Sequence, residues 1–410
     1  MIFFYKTGIF LYSLFARILA HFNEKARLFV IGRKNWSKAL SEKADRKARY
    51  IWIHCASLGE FEQGRPVIEE IKKQFPEYKI ALTFFSPSGY EIRKNYEPAD
   101  IVMYLPLDTK QNARRFLTLL NPEKVFFVKY EFWYFYISAL KQRNIPLFII
   151  SAIFRENQQF FKNSPWGKWY RKMLLQFEHF FVQDEASAKL LKSIGLTNYT
   201  ISGDTRFDRV ASIAKSFKNF PIVEKFKGNS KLIIAGSTWK PDEEMLAEFI
   251  NQNAETKIIF APHEVSGANI NRLGQMLKKT TARFSQIENF EVENLQVIIV
   301  DSVGILSSLY RYGDIAYIGG GFGVGIHNIL EAATFGLPII FGPNHQKFKE
   351  AVDLKSEGGA FSITDIYQLK TAMDTLLNDE AALKKASEIS KNYVAKNIGS
   401  TQLIINEVFK

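Results

Sequence analysis

The chain has 410 residues, of which 47% are hydrophobic and 23% are charged, a balance typical of soluble globular domains. This length is sufficient for two domains. The single cysteine, Cys55, excludes an internal disulfide and cysteine-rich zinc or iron–sulfur sites. A formal net charge of +12 predicts an anionic partner, which is nucleic acid, an anionic membrane or a phosphorylated substrate.

The chain begins with an apolar, aromatic-rich segment, MIFFYKTGIFLYSLFARILAHF. It has no clear small-residue cleavage site of the kind that ends a signal peptide. Lys6 and Arg17 interrupt the run of about 20 apolar residues that a spanning helix needs. Its aromatic residues suit the lipid headgroup boundary. We expect residues 1–24 to associate with a membrane, with a buried helix and a spanning helix as the alternatives.

A basic block follows this segment. Between Lys25 and Arg49 the sequence has nine lysines and arginines but only two acids, Glu42 and Asp45. Such a block suits anionic lipid on the cytoplasmic side of a membrane, although a solvated helix face has the same composition.

The next part of the chain alternates apolar runs with amphipathic segments. This alternation predicts a mainly parallel sheet with right-handed crossovers, in an N-terminal Rossmann-like domain over residues 25–213. The predicted strands are Tyr50–Cys55, Ile80–Phe85, Ile101–Tyr104, Lys124–Val128, Leu147–Ser151, Phe180–Val182 and Asn198–Ile201. Predicted helices between them include Arg65–Gln74 and Ala186–Ile194.

A polar, lysine-rich stretch over residues 214–230 is typical of a linker, and the alternation restarts after it. We expect a second Rossmann-like domain over residues 231–395 and a terminal helix, 396–410, that crosses back to the first domain. The predicted strands are Leu232–Ala235, Lys257–Ala261, Gln296–Val300, Ile315–Ile318 and Leu337–Phe341, and the predicted helices include Glu243–Asn251 and Asn328–Thr334. Two doubly wound domains place a cleft at the carboxyl ends of both sheets.

The most informative segment of the second half is DIAYIGGGFGVGIHNILEAATFGLPIIFGP, residues 314–343. A strand enters a glycine cluster that includes Gly320, and a helical pattern begins near Asn328. Glycines permit positive φ and close backbone approach, and a helix start offers free N–H groups, so this arrangement favours a phosphate. Glu331 follows one turn later, where a carboxylate can accept hydrogen bonds from a sugar diol.

Seven blocks in chain order resemble the family of 3-deoxy-D-manno-octulosonic acid (Kdo) transferases of bacterial lipopolysaccharide synthesis. They are WIHCASLGE, KYEFW, GDTRFD, AGSTW, the AP and HE pairs at 261–264, DSVGIL and GGGFGVGIHNILEAATFGLPIIFGP. The resemblance covers nearly the whole chain. It implies an α/β fold of GT-B architecture, with two doubly wound Rossmann-like domains.

The resemblance also implies a reaction and its partners. The donor is CMP-Kdo, the acceptor is the phosphorylated lipid A precursor lipid IVA, and transfer inverts the anomeric configuration and releases CMP. The expected location is the cytoplasmic face of the inner membrane. The acidic lipid accounts for the excess positive charge without nucleic acid.

Three residues in the first half match catalytic positions of the family. Glu60 matches the general base, which takes the proton of the acceptor hydroxyl as the new C–O bond forms; its alternative role is to cap a helix that starts near Glu62. Glu131 matches one member of a pair that supports the transition state. Arg206 occupies the position of the other member, where the family usually has lysine.

Residues of the second half match the nucleotide site. The family usually has arginine after the proline of the AP block, whereas this chain has His263 there. The matching residues are Ser237, Pro262, His263, Gly304, Ile305, Leu306, Gly320, Asn328 and Glu331. We expect the backbone at 304–306 to contact cytosine or ribose.

No Asp-x-Asp sequence is present, although many sugar transferases use it to hold a metal against a diphosphate. CMP leaves as a monophosphate, so we expect no catalytic metal and no cofactor. Two alternatives remain open: a nucleotide-sugar 2-epimerase of the same fold, and a non-catalytic membrane or nucleic-acid binder that uses the basic block.

Overall fold

The computed structural model describes residues 1–216 and 218–410. The chain divides into two compact units, which we describe separately. Unit 1 comprises Met1–Arg209 together with Gly399–Lys410, and unit 2 comprises Val210–Ile398.

Unit 1 is a doubly wound α/β unit. Its seven parallel strands lie in the order β3-β2-β1-β4-β5-β6-β7. The strands are β1 Arg49–Cys55, β2 Tyr78–Phe84, β3 Ile101–Tyr104, β4 Pro122–Val128, β5 Leu147–Ala152, β6 His179–Val182 and β7 Tyr199–Ile201. The helices are α1 Ile2–Leu19, α2 Glu24–Ile31, α3 Trp36–Lys43, α4 Leu58–Gln74, α5 Pro87–Arg93, α6 Lys110–Leu120, α7 Tyr134–Gln142, α8 Pro165–Leu174 and α9 Glu185–Ser193, with a 3₁₀ turn at Gln159–Phe161. The next helix, α10 Arg206–Lys215, begins in unit 1 and ends in unit 2.

The first helix, α1, is held to unit 1 by a few side chains. The Tyr5 hydroxyl donates a hydrogen bond of 2.5 Å to Oδ2 of Asp108, which is buried. Asp108 also accepts the backbone N–H groups of Phe135 and Tyr136 at the start of α7. Burial raises the pKa of Asp108 to about 6. The rest of α1 is mostly exposed, and by length and composition this helix is able to cross a membrane.

Unit 2 repeats the doubly wound plan, with seven parallel strands in the order β10-β11-β9-β8-β12-β13-β14. Its strands are β8 Leu232–Thr238, β9 Lys257–Pro262, β10 Thr281–Arg283, β11 Val297–Ile299, β12 Ile315–Ile318, β13 Ile339–Phe341 and β14 Ala360–Ser362. Its helices are α11 Pro221–Lys227, α12 Lys240–Gln252, α13 Gly267–Met276, α14 Leu306–Leu309, α15 Leu330–Ala333, α16 Lys349–Glu357, α17 Ile366–Asn378 and α18 Glu380–Ala395, with 3₁₀ turns at Phe284–Asn289, Val292–Asn294 and Tyr310–Tyr312.

The last helix, α19 (Ser400–Val408), belongs to unit 1. Asp208 fixes its start by accepting hydrogen bonds from Gly399 and from the backbone and hydroxyl of Thr401. Its buried face, which includes Ile404 and Ile405, packs against α4 in a core that also contains residues of β1, β2 and β4.

Part of the stretch predicted as a linker, residues 214–230, is regular structure. It contains α11, because Val223 and Phe226 are buried in unit 2 and the proline at position 221 favours a helix start. Phe217, which also falls in the predicted linker, lies outside the described residues.

Candidate active site

Both units have polar residues at the same topological position. In unit 1 the strand order reverses direction between β1 and β4, and in unit 2 it does so between β8 and β12. Ligands of doubly wound sheets bind beyond the carboxyl ends of the strands at such a switch point. The predicted residues Glu60 and Glu131 follow β1 and β4, whereas Ser237 is the penultimate residue of β8 and Gly320 follows β12.

Glu60 lies in the first turn of α4. The helix begins at Leu58, not near Glu62 as the alternative role of Glu60 required, and Ser57 is its N-cap. The Ser57 hydroxyl accepts the N–H of Gly59 and donates a 2.5 Å hydrogen bond to Oε2 of Glu60. The helix is longer than the sequence predicts because this serine caps its start by accepting one of its first N–H groups, that of Gly59.

Lys129 lies next to Glu60 and has no role in the predicted site. Its Nζ lies 3.8 Å from Oε1 of Glu60, and both side chains are partly exposed. Lys129 follows the last residue of β4 in the left-handed region, with φ +65°. This conformation is uncommon for a lysine. It turns the chain out of the strand, and the ammonium group lies near the carboxylate of Glu60. In the sequence, Lys129 could have been selected as a candidate site residue because it belongs to the KYEFW block.

Glu131 lies in the loop between β4 and α7. Its Oε2 lies 3.2 Å from Nε2 of His54, which ends up buried near the end of β1, and accepts a 2.7 Å hydrogen bond from the indole of Trp133. The side chain of Glu131 is 13% exposed. A carboxylate in this aromatic setting is therefore stabilised by polar partners, as a buried charge requires.

Arg206 lies at the start of α10 and is held by Asp204. Its guanidinium donates to Oδ2 of Asp204, which also accepts the side-chain amide of Gln63 from α4. Burial opposes the ionisation of Asp204, but the charge and hydrogen bonds of Arg206 hold its pKa below the usual value. Arg206 is thus connected to the helix that bears Glu60, while the contacts described for Glu131 are those with His54 and Trp133.

In unit 2 the ends of β8, β9 and β12 meet closely. Ser237 has φ +53°, and a Cβ on Gly319 would lie 2.2 Å from the Ser237 carbonyl oxygen. The backbone N–H of His263, which follows Pro262, donates to the carbonyl of Thr238 at 2.9 Å. Three of the predicted donor-site residues, Ser237, Pro262 and His263, therefore share one edge of the sheet with the glycine cluster.

Three aromatic rings stack at this edge. The ring of His263 stacks on Trp239 at a centroid distance of 4.4 Å and on His327 at 4.7 Å. The Trp239 indole donates to Nε2 of His327 at 3.1 Å. Burial, and then the neighbouring His263, lower the pKa of His327. The sequence predicts a role for His263 but does not indicate that Trp239 stacks on it.

The glycine cluster is a loop anchored by Asp242. Gly320 has φ +91°, which favours glycine, and its N–H donates to Oδ2 of Asp242 at 3.0 Å. The predicted helix Asn328–Thr334 is only the short α15, Leu330–Ala333. The reason is local: the Asn328 side chain accepts the N–H of Leu330, which holds the backbone out of the helix. The Asn328 amide also donates to Glu331 at 3.1 Å.

The segment Gly304-Ile305-Leu306 reaches the same region. Gly304 has φ +89°, and Leu306 opens α14. A Cβ on Gly236, in β8, would lie 3.1 Å from Leu306 and closer still to the Tyr310 hydroxyl. Burial raises the pKa of Tyr310, and the charge of Glu331 contributes to this shift. The unit 2 residues predicted for the nucleotide site thus surround one switch point.

We expect Gly319→Ala to destabilise the protein by about 1–3 kcal/mol, because its Cβ would overlap the backbone of Ser237 and Thr238. The matched control is Gly323→Ala in the same loop, whose Cβ would have 3.6 Å to the nearest atom. The control should change stability by less than about 0.5 kcal/mol. Urea unfolding of both variants measures the difference, and equal midpoints would contradict the packing described.

Two doubly wound Rossmann-like units define the GT-B class of fold. A solved structure of UDP-GlcNAc 2-epimerase from Neisseria meningitidis has the same fold, with a TM-score of 0.61, 15% identity and coverage of 88% of this chain and 99% of that one. The structure of MurG from Acinetobacter baumannii matches with a TM-score of 0.55, 12% identity and the same two coverages. These likenesses confirm the predicted fold.

The sequence model described as 3-deoxy-D-manno-octulosonic-acid transferase matches residues 31–209. A 3-deoxy-D-manno-octulosonic acid transferase of Aquifex aeolicus is 30% identical over 84% of this chain and 92% of its own length. One from Haemophilus influenzae is 26% identical over 87% of this chain and 86% of its own length. The chain belongs to the 3-deoxy-D-manno-octulosonic acid transferase family, and it is a glycosyltransferase.

Proposed function

We propose that this chain transfers Kdo from CMP-Kdo to lipid IVA in lipopolysaccharide synthesis, with inversion at the anomeric carbon and release of CMP. The observation that carries the proposal is the position of Glu60. It is a partly exposed carboxylate at the switch point of unit 1, with one oxygen held by Ser57 and the other beside Lys129.

In this proposal Glu60 takes the proton of an acceptor hydroxyl through Oε1. The hydroxyl oxygen forms a bond to the anomeric carbon of Kdo while the bond from that carbon to the phosphate oxygen breaks. CMP leaves with the bonding electrons, and Glu60 keeps the proton. A single base on the face opposite the leaving group is sufficient for such an inverting displacement. Lys129 provides a positive charge for an anionic group of either substrate.

The donor is assigned to the switch point of unit 2. Gly320 has no side chain, so the backbone beyond the end of β12 can approach the phosphate closely. His263 replaces the arginine that the family resemblance implies. Asn328 orients Glu331 for the ribose diol. The backbone around Gly304 is assigned to the nucleoside, together with the other residues of the predicted set, Ser237, Pro262, Ile305 and Leu306.

The acceptor is assigned to the N-terminal helices of unit 1. A cavity of about 750 Å³ lies between α1 and α2, and its lining combines apolar side chains with the cations of Arg17, Arg27 and Lys34. A phosphorylated lipid requires both kinds of surface. We place the enzyme on the cytoplasmic face of the inner membrane, with α1 as the membrane-associating segment, and we assign it no nucleic-acid partner.

The test is to incubate the purified protein with CMP-Kdo and lipid IVA in detergent and to measure the mass of the lipid product by mass spectrometry. We expect lipid heavier by whole Kdo residues, with one CMP released for each. Failure to modify the lipid would overturn the proposal. A soluble isomerised nucleotide sugar as the product would favour the epimerase alternative instead.

A further inference from the structure

A line of buried polar groups leads from the core of unit 1 to Glu131. The indole N–H of Trp52 donates to Oγ1 of Thr83 at 2.8 Å. This oxygen lies 2.9 Å from Nδ1 of His54, and Nε2 of His54 lies 3.2 Å from Oε2 of Glu131. Trp52, Thr83 and His54 are each fully buried. Buried polar groups of this kind are retained only where their hydrogen bonds are satisfied.

The proton positions along this line follow from the chemistry of each group. An indole nitrogen can only donate, so Thr83 accepts from Trp52. The Thr83 hydroxyl then has one proton to donate, and Nδ1 of His54 is the acceptor 2.9 Å away. The neutral imidazole therefore has its own proton on Nε2, which faces the carboxylate of Glu131.

The other neutral tautomer fits less well. With the proton on Nδ1, His54 would donate to the Thr83 carbonyl at 3.2 Å. The lone pair of Nε2 would then face the carboxylate of Glu131 at 3.2 Å, which is repulsive. The hydroxyl of Thr83 would also lose its acceptor on His54. The indole nitrogen of Trp133 also lies 3.1 Å from Nε2 of His54, so with the proton on Nδ1 that ring nitrogen would share the indole N–H with Oε2 of Glu131, which accepts it at 2.7 Å. The repulsion between the Nε2 lone pair and the carboxylate decides between the two tautomers, and we adopt the first arrangement.

Trp133 completes the arrangement from the surface side. Its indole N–H lies 2.7 Å from the same oxygen, Oε2 of Glu131. Two N–H donors thus converge on Oε2, from His54 and Trp133. Within residues 1–216 and 218–410, no hydrogen bond to Oε1 of Glu131 is present, and the side chain is partly exposed. The hydrogen bonds described for Glu131 therefore hold Oε2.

We propose that His54 is a positioning residue for Glu131, an inference that rests on the proposed function. Together with Trp133 it fixes the carboxylate plane so that Oε1 presents its negative charge to the sugar as positive charge develops at the anomeric carbon. A carboxylate fixed in advance does not have to reorganise during the reaction. His54 itself touches no substrate and acts through Glu131.

Two substitutions separate this role from general packing. In His54→Gln the side-chain amide nitrogen replaces Nε2 and still donates to Glu131. In His54→Asn the shorter side chain retains a partner for Thr83 but does not reach Glu131. We expect kcat to fall about 100-fold in His54→Asn, with KM for both substrates within about twofold of the wild type. We expect His54→Gln to recover most of this loss.

Equal losses in the two variants, or a wild-type kcat in His54→Asn, would overturn the proposal. Thermal unfolding of both variants shows whether they fold. If either does not, the ¹⁵N NMR spectrum of wild-type protein labelled at histidine decides the matter, since the proposal requires a proton on Nε2 of His54. A proton on Nδ1 alone would overturn it.

These readouts separate the two proposals. The tautomer is measured without substrate, so it tests His54 even if the wild-type protein fails to transfer Kdo. If the wild type transfers Kdo and His54→Asn does so equally well, the proposed function stands and only the positioning role fails.

Discussion

Replacing Glu60 by glutamine should lower kcat for Kdo transfer by about 10²–10⁴-fold, the usual contribution of a general base. Glutamine has nearly the same size and its carbonyl can still accept the hydroxyl of Ser57, so the start of α4 should be retained. It cannot take a proton from the acceptor. The affinity for CMP, measured by calorimetry, should remain within about twofold because the donor is assigned to unit 2.

The matched control for this substitution is Glu70→Gln on the same helix. Glu70 contacts only Lys73 and Gln74 in the hydrogen bonds and ion pairs described for it, and these lie on an exposed face. An exposed pair of this kind contributes little to stability, so the control should transfer Kdo at the wild-type rate. Full transfer by Glu60→Gln, in a protein with an unchanged unfolding temperature, would show that another group is the base.

The sequence predicts the parallel strands well because buried strands are continuous apolar runs between turn residues. Strands such as β3 and β12 have the predicted bounds. The two strands that the sequence does not reveal, β10 and β14, are three residues long and occupy the edges of the unit 2 sheet. A run of three residues is too short to show a hydrophobic periodicity. An edge strand of this length is recognised from its hydrogen bonds to the neighbouring strand, which the sequence does not reveal.

Helix boundaries depend on single side chains, which composition does not reveal. The early start of α4 depends on the hydroxyl of Ser57, and the late start of α15 depends on the amide of Asn328. The hydrogen bond of Ser57 completes the start of its helix, whereas the hydrogen bond of Asn328 competes with helix formation. The predicted helix Arg65–Gln74 is therefore shorter than α4, and the predicted helix Asn328–Thr334 is longer than α15.

The candidate site shows the same limit at longer range. Family resemblance supplies Glu60 and Glu131, but their partners come from tertiary contacts. His54 is separated by 77 residues from Glu131, and Trp239 by 88 residues from His327. In the sequence His54 is indistinguishable from a histidine that merely packs in a strand. Only the sheet register, which pairs His54 with Phe127 at the end of β4, brings it to the loop of Glu131.

The exposed face of α1 should determine whether the enzyme binds a membrane. Phe10, Leu14, Phe15 and Ile18 are between 45% and 66% exposed. The contacts of Tyr5 that hold the helix to unit 1 are made with Asp108, Tyr134, Phe135 and Trp169. If each contributes about 1.5 kcal/mol when fully buried, and half of that at a lipid interface, replacing all of them with glutamine should weaken binding roughly 100-fold.

Flotation with vesicles that contain an anionic phospholipid measures this effect. The matched control replaces exposed apolar side chains of unit 2 by glutamine, at Phe290, Val352, Tyr367 and Ile398. The control should float with the vesicles as the wild type does, whereas the α1 variant should stay with the soluble fraction. Both should keep the wild-type unfolding temperature, since the hydrogen bond of Tyr5 to Asp108 is unaltered.

The activity of the α1 variant then depends on how the acceptor is presented. With lipid IVA in vesicles, transfer should fall with binding, because the enzyme no longer concentrates at the surface that holds its substrate. With lipid IVA dispersed in detergent, transfer should stay within about threefold of the wild type, because the substituted face is not among the residues that line the α1–α2 cavity. An α1 variant that floats with the vesicles like the wild type would show that other surfaces, such as the basic block that begins at Lys25, suffice for membrane binding.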